Sequence, residues 1–109
     1  MLNYCELDRI FRALSDPTRR YIFEQLCDGA ATVTQLAEPL PLALSTALHH
    51  LRVLERNGLI HTDKPGCVRT CCIEERAVRL LDQWMREYYG YWLRSQSRRQ
   101  HPAGLNSAG

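Results

Sequence analysis

Apolar positions recur at three- and four-residue spacing in separate stretches of this chain, and the gaps between them carry helix-start and helix-stop chemistry. Leu7, Ile10, Phe11 and Leu14 line one side of a predicted helix over residues 5–14. Ser15-Asp16-Pro17 breaks that pattern and starts another. Asp16 can accept from free amides at a helix start, and Pro17 suits the first helical position, where no N–H partner is needed. Tyr21, Ile22, Phe23 and Leu26 give the second helix its buried side, and Asp28-Gly29 ends it. Thr32 with Gln35 forms a capping-box pattern for a short third helix over 33–38, closed by Pro39 and Pro41. A fourth helix is expected over 44–57, with Ala47, Leu51 and Leu54 inward and Gly58 as its stop.

Beyond Gly58 the period changes from 3.6 to 2. Residues 59–63 and 68–73 alternate and carry β-branched side chains, and Lys64-Pro65-Gly66 between them is turn chemistry, so the pair predicts a hairpin. A last helix is expected over 74–95. Ala77, Leu81, Trp84, Tyr88 and Tyr91 fall on one line, with Val78, Met85, Tyr89 and Trp92 beside it. That face is wider than one small core needs, and such faces mark dimer interfaces, here through Leu81, Trp84, Tyr88 and Tyr91. Residues 96–109 are polar and without period, and are expected to form a disordered tail. The expected fold is mainly α with a small β-hairpin: a winged helix-turn-helix of about five helices, in one domain over 1–95.

Composition narrows the class. A chain of 109 residues that is 45% hydrophobic supports one core. No apolar run approaches the ~20 residues of a membrane-spanning helix, and the acidic, amphipathic start MLNYCELDRI does not read as a secretory signal. The expected location is the cytoplasm, with no membrane partner. The five cysteines are odd in number and contain no C-x-x-C pair, which argues against a disulfide framework. Cys27 and one of Cys71 or Cys72 are expected to be small buried hydrophobes. Net charge is only +2, so its distribution matters more: residues 1–42 carry four arginines against six acids, whereas 43–73 hold Arg52, Arg56, Lys64 and Arg69 against Glu55 and Asp63.

A helix-turn-helix followed by a hairpin is how a small domain lays one helix in the DNA major groove with a wing beside it. The reading helix reaches bases through its N-terminal residues, here Ser45, Thr46 and His49, with Arg52 one turn on for phosphate. Thr34 and Gln35 can anchor a phosphate at the start of the preceding helix, and Lys64 and Arg69 can reach the minor groove or its phosphates. Ser45 serves equally well as an N-cap. His50 is a further DNA candidate, although its place before Leu51 also fits a packed helix junction. An alternative class is a protein–protein adaptor built on the same fold. Catalysis has no support: no Ser-His-Asp, paired-carboxylate or phosphate-loop pattern occurs, and His49 and His50 point about 100° apart on a helix.

The segments FRALSDPTRRYIFEQL, LSTALHHLRVLERNGLI and KPGCVRTCCIE, in this order and spacing, resemble the ArsR (ArsR/SmtB-type) winged-helix repressors over residues 5–93. The resemblance implies a homodimer built from the first and last helices, which adds Leu7, Ile10 and Phe11 to the interface. It also implies an autorepressor on an inverted-repeat operator, released by an unknown inducer. Two positions depart from the pattern. Ala43 stands where the family often has a capping Ser, and Leu48 where a polar residue often faces DNA.

Neither metal pattern of the family is present: residues 36–43 hold no cysteine, and residues 74–95 contain Asp82 but no histidine. Adjacent strand residues face opposite sides, so Cys71 and Cys72 cannot grip one ion together. Cys67 and Cys71 would stand ~13 Å apart at ~3.3 Å per residue. No metal site and no cofactor are assigned. A thiol-redox or soft-metal response through Cys67, Cys71 and Cys72 is the alternative regulatory reading.

Overall fold

The computed structural model describes residues 2–63 and 68–100, with residues 99 and 100 by backbone alone. Its elements run α1 (Tyr4–Leu14), α2 (Pro17–Cys27), β1 (Ala31–Thr32), α3 (Val33–Ala37), α4 (Leu44–Arg56), β2 (Ile60–Asp63), β3 (Thr70–Ile73) and α5 (Glu75–Gln100). Local chemistry sets most of these boundaries. Asn3 Oδ1 accepts from the Glu6 amide at 3.0 Å to start α1, and Asp16 Oδ2 accepts from the Arg19 amide at 3.0 Å to start α2, with Pro17 just inside. Thr32 and Gln35 exchange reciprocal bonds of 3.1 and 2.9 Å at the start of α3, as the capping-box pattern predicts. The chain leaves α4 through Gly58 at φ 82°, a conformation that a side chain would strain.

The core is a single cluster. Leu7, Ile10 and Ala13 of α1, Ile22 and Leu26 of α2, Leu36 of α3 and Leu51 and Leu54 of α4 meet Leu59, Ile60 and Cys71 from the sheet and Ala77 and Leu80 from α5. Helix α2 sits centrally, touching α1, α4 and β3. The Leu59 amide donates to Leu54 O at 3.0 Å, which staples the start of the hairpin to α4, and Leu59 O accepts from the Glu74 amide at 2.9 Å, which ties the two ends of the hairpin to each other. Among the described residues, no helix is long and apolar enough to cross a membrane.

The structure differs from the sequence-based expectation in three places. The expected hairpin is a three-stranded antiparallel sheet of order β1-β3-β2, with Ala31 opposite Cys71, Thr32 opposite Thr70, and His61 opposite Cys72. Thr32 explains the extra strand. An N-cap residue has extended backbone, here φ −77° and ψ 160°, so one residue can cap α3 and pair with β3 at once. The last helix, expected to end at Ser95, continues to Gln100. Polar Ser, Gln and Arg neither break a helix nor remove its amides, and loss of apolar period does not by itself end one. Residues 101–109 of the expected tail lie outside the described residues. Finally, Cys27 is exposed on α2 rather than buried.

Candidate nucleic-acid interface

Helix α4 divides cleanly by side. Ala47, Leu51 and Leu54 are buried, while Ser45, Thr46, His49 and Arg52 are exposed. Ser45, His49 and Arg52 stand at i, i+4 and i+7, so they follow one stripe along the helix, with Thr46 beside it. The N-cap is Ala43, which offers no side-chain bond, and Ser45 lies at the second helical position. The start of α4 therefore lacks a side-chain cap, which leaves its first amides to outside acceptors. Leu48 is half-buried and packs against the core cluster, which accounts for an apolar residue at this position.

Across a narrow crevice from α4, Arg69 shares its lining with Leu48, Leu51, Arg52, Glu55, Thr62 and Cys71. Two cations expected to meet DNA are thus brought to one edge, where α4 faces the sheet. Arg69 O also accepts from the Val33 amide at 3.4 Å, which ties the wing backbone to α3. Thr34 is exposed, but the Gln35 side-chain oxygen is engaged in the capping box. Lys64 and Cys67 lie outside the described residues.

His50 does not belong to the exposed stripe. Its side chain is only 14% exposed, with Nδ1 3.3 Å from Arg19 Nη1 and 3.9 Å from Asp16 Oδ2. Arg19 also donates through Nε to Ala13 O at 2.7 Å. The group therefore joins α4 to the start of α2, in keeping with the packed-junction alternative for His50. The Arg19 amide hydrogen bond holds the Asp16 carboxyl below the usual carboxylate range.

A second surface, of opposite character, runs along α5. Phe11 of α1 meets Trp84 edge-on at 5.2 Å, Trp84 meets Tyr88 at 5.3 Å, and Tyr88 meets Tyr91 at 5.7 Å. Tyr89 stacks with Trp92 at 6.2 Å. Met85, Tyr88, Tyr89, Tyr91, Trp92 and Leu93 are all exposed, Trp92 by 54%. Leu7 and Ile10, expected at the interface, are 1% and 2% exposed and face the protomer's own core, so they have no surface left for a partner. Trp84 and Leu81 are partly buried against the same core. The Tyr88 hydroxyl, 3.1 Å from that of Tyr4, holds the Tyr4 phenol up at about 12. A bidentate Arg76–Glu6 pair also ties α5 to α1 and pulls the Glu6 carboxyl below its ordinary value.

The cysteines separate in the same way. Cys71 is fully buried, and burial pushes its thiol up, which disfavours the thiolate that redox chemistry needs. Cys72 faces the other side of the sheet and is half-buried, while Cys5 and Cys27 are exposed. On the outer face, ligand atoms of His61, Asp63 and Cys72 lie within 4.8 Å of one another. Scanning for cysteine pairs misses this group. The readable signal was a His-x-Asp on one strand with a cysteine opposite the histidine.

Residues 14–63 match a family model described as a helix-turn-helix domain. The HTH-type transcriptional regulator Rv2034 of Mycobacterium tuberculosis is 39% identical over 96 residues, covering 84% of this chain and 90% of its own. A solved ArsR family transcriptional regulator is 42% identical and superposes with a TM-score of 0.74, covering 80% of this chain and 96% of that one. The homodimeric winged helix-turn-helix DNA-binding domain of a possible ArsR-family regulator from Mycobacterium bovis is 26% identical, with a TM-score of 0.65 over 77% of this chain and 81% of that one.

Proposed function

This chain belongs to the ArsR family of winged helix-turn-helix transcriptional regulators, and from that premise we propose that it acts in the cytoplasm as a homodimeric autorepressor on an inverted-repeat operator. The observation that carries the reading is the exposed stripe Ser45, His49 and Arg52, with Arg69 across one crevice from Arg52. Ser45, Thr46 and His49 enter the major groove, where hydroxyl and imidazole groups meet base edges and thymine methyls. Arg52 and Arg69 take phosphates, Lys64 extends the wing contact, and the uncapped start of α4 offers its amides to the backbone. Thr34 supports a phosphate at the start of α3.

The dimer forms through α5 with the exposed part of α1. Phe11, Tyr88 and Tyr91 supply the contact, joined by Met85, Tyr89 and Trp92. A continuous aromatic face in water is costly, and a second copy of the same face covers it symmetrically. Two chains related in this way present two reading helices, as an inverted repeat requires.

The test is binding of the intact protein to a fragment of its own upstream region as salt rises from about 50 to 200 mM. Phosphate-dominated binding should weaken steeply, by about 1,000-fold or more for six or more contacts. Affinity that ignores salt would favour the protein–protein adaptor instead.

A further inference from the structure

We propose that the outer face of the wing sheet is a divalent-cation site built by His61, Asp63 and Cys72, and that it takes a borderline ion of the zinc class. His61 and Asp63 are two apart on β2 and so share a face, and Cys72 stands directly opposite His61 on β3. The register thus puts an imidazole, a carboxylate and a thiol together, and their ligand atoms already lie within 4.8 Å of one another. Around a tetrahedral ion with metal–sulfur and metal–nitrogen bonds of ~2.3 and ~2.0 Å, ligand atoms stand roughly 3.5 Å apart. Side-chain rotation closes that difference without moving the strands. One nitrogen, one oxygen and one sulfur ligand suit a zinc-class ion better than calcium or magnesium, which take oxygen.

Glu74 supplies the second observation. Its Oε2 lies 3.2 Å from His61 Nδ1, a buried atom that lacks an aligned hydrogen bond. Metal-bound histidines commonly give their second ring N–H to a carboxylate, which fixes the ring and its tautomer. Glu74 is the positioning residue for His61, leaving the other ring nitrogen for the ion. Binding converts the Cys72 thiol to a metal-bound thiolate and releases one proton to solvent. The ion ties β2 to β3 on the face away from Cys71. This site does not depend on the DNA-binding reading, because it is read out by the metal alone.

The experiment titrates Co(II), a coloured stand-in for zinc, into the reduced full chain. The expected result is a thiolate-to-cobalt charge-transfer band that saturates at one ion per chain and is bleached by one equivalent of Zn(II). Cys72→Ser should abolish the band, and His61→Gln and Asp63→Asn should each weaken Co(II) binding at least 10-fold. Glu74→Gln should weaken it by about 10–100-fold while keeping the band. The double variant of exposed Cys5 and Cys27 to Ser should keep the band unchanged. Absence of any band in the wild-type chain would overturn the proposal. So would a band that survives Cys72→Ser, or Co(II) affinity indifferent to both His61→Gln and Asp63→Asn, two changes on the outer face that leave the core untouched.

Discussion

Helices α4 and α5 both turn one side to the core and one to solvent, but the solvent sides have opposite chemistry. Along α4 the exposed stripe is Ser45, His49 and Arg52, short or charged groups that water hydrates well. Along α5 it is Tyr88, Tyr89, Tyr91, Trp92 and Leu93, whose exposure water opposes. The polar stripe is stable alone and, under the proposed function, meets a polyanion when one arrives; the aromatic stripe favours a covered state from the start. Under the proposed function, one helix makes conditional contact and the other permanent contact, within one protomer.

The strongest way to break this contrast is to charge the aromatic side. Trp92→Glu should shift the protein from two chains to one in sedimentation, and operator binding should fall with it. A dimer of unchanged mass would remove α5 from the interface. Trp84→Glu is a poorer probe, because Trp84 packs on Phe11 and on the protomer's own core. The inner side of α4 should respond in a different coin. Leu54→Ala, at a fully buried position, should cost about 2–5 kcal/mol in denaturant unfolding of a dimer that still assembles.

On the polar side, Arg52→Ala and Arg69→Ala should leave the unfolding midpoint nearly unchanged. Each should lower the salt slope of operator binding by about 1 and weaken all sequences alike. A change confined to one base pair would mean that the arginine reads bases instead. The smallest effect concerns Asp16. Its carboxyl is lowered by the Arg19 amide, so the stability it adds is present above the ordinary value near 3.9 and is lost as pH falls through its lower folded value. Asp16→Asn keeps a capping oxygen without the charge. It should lower the unfolding midpoint slightly at pH 7 and flatten its decline as pH falls below about 4, where the two proteins converge.

Most of the framework was legible because it is written locally. Asp16-Pro17, Thr32 with Gln35, and Asn57-Gly58 mark helix ends through atoms two to four positions away, and periodicity located Leu51, Leu54 and Ala77 in the core. What escaped depended on distant partners. The sequence left His50 open between DNA and a packed junction, and its partners Arg19 and Asp16 at the start of α2 could not be named from it. Leu7 and Ile10 lie on the same helix as Phe11, yet only packing shows that they face the core while Phe11 remains open. Strand β1 has two residues, too few for any alternation, and exists because β3 is there to receive it. The His61, Asp63 and Cys72 group likewise needs the register of two strands before its members can be seen as neighbours.

Thr32 joins two parts of this architecture directly. The same residue ends the sheet and caps α3: it stands opposite Thr70, its amide donates to Gln35 Oε1 and its hydroxyl accepts from the Gln35 amide, while the next amide, Val33, donates to Arg69 O. Strand β1 ends at Thr32 and α3 begins at Val33, so no linker separates the sheet from the helix. The wing and the reading unit therefore meet at a single residue, with no loop between the end of one and the start of the other.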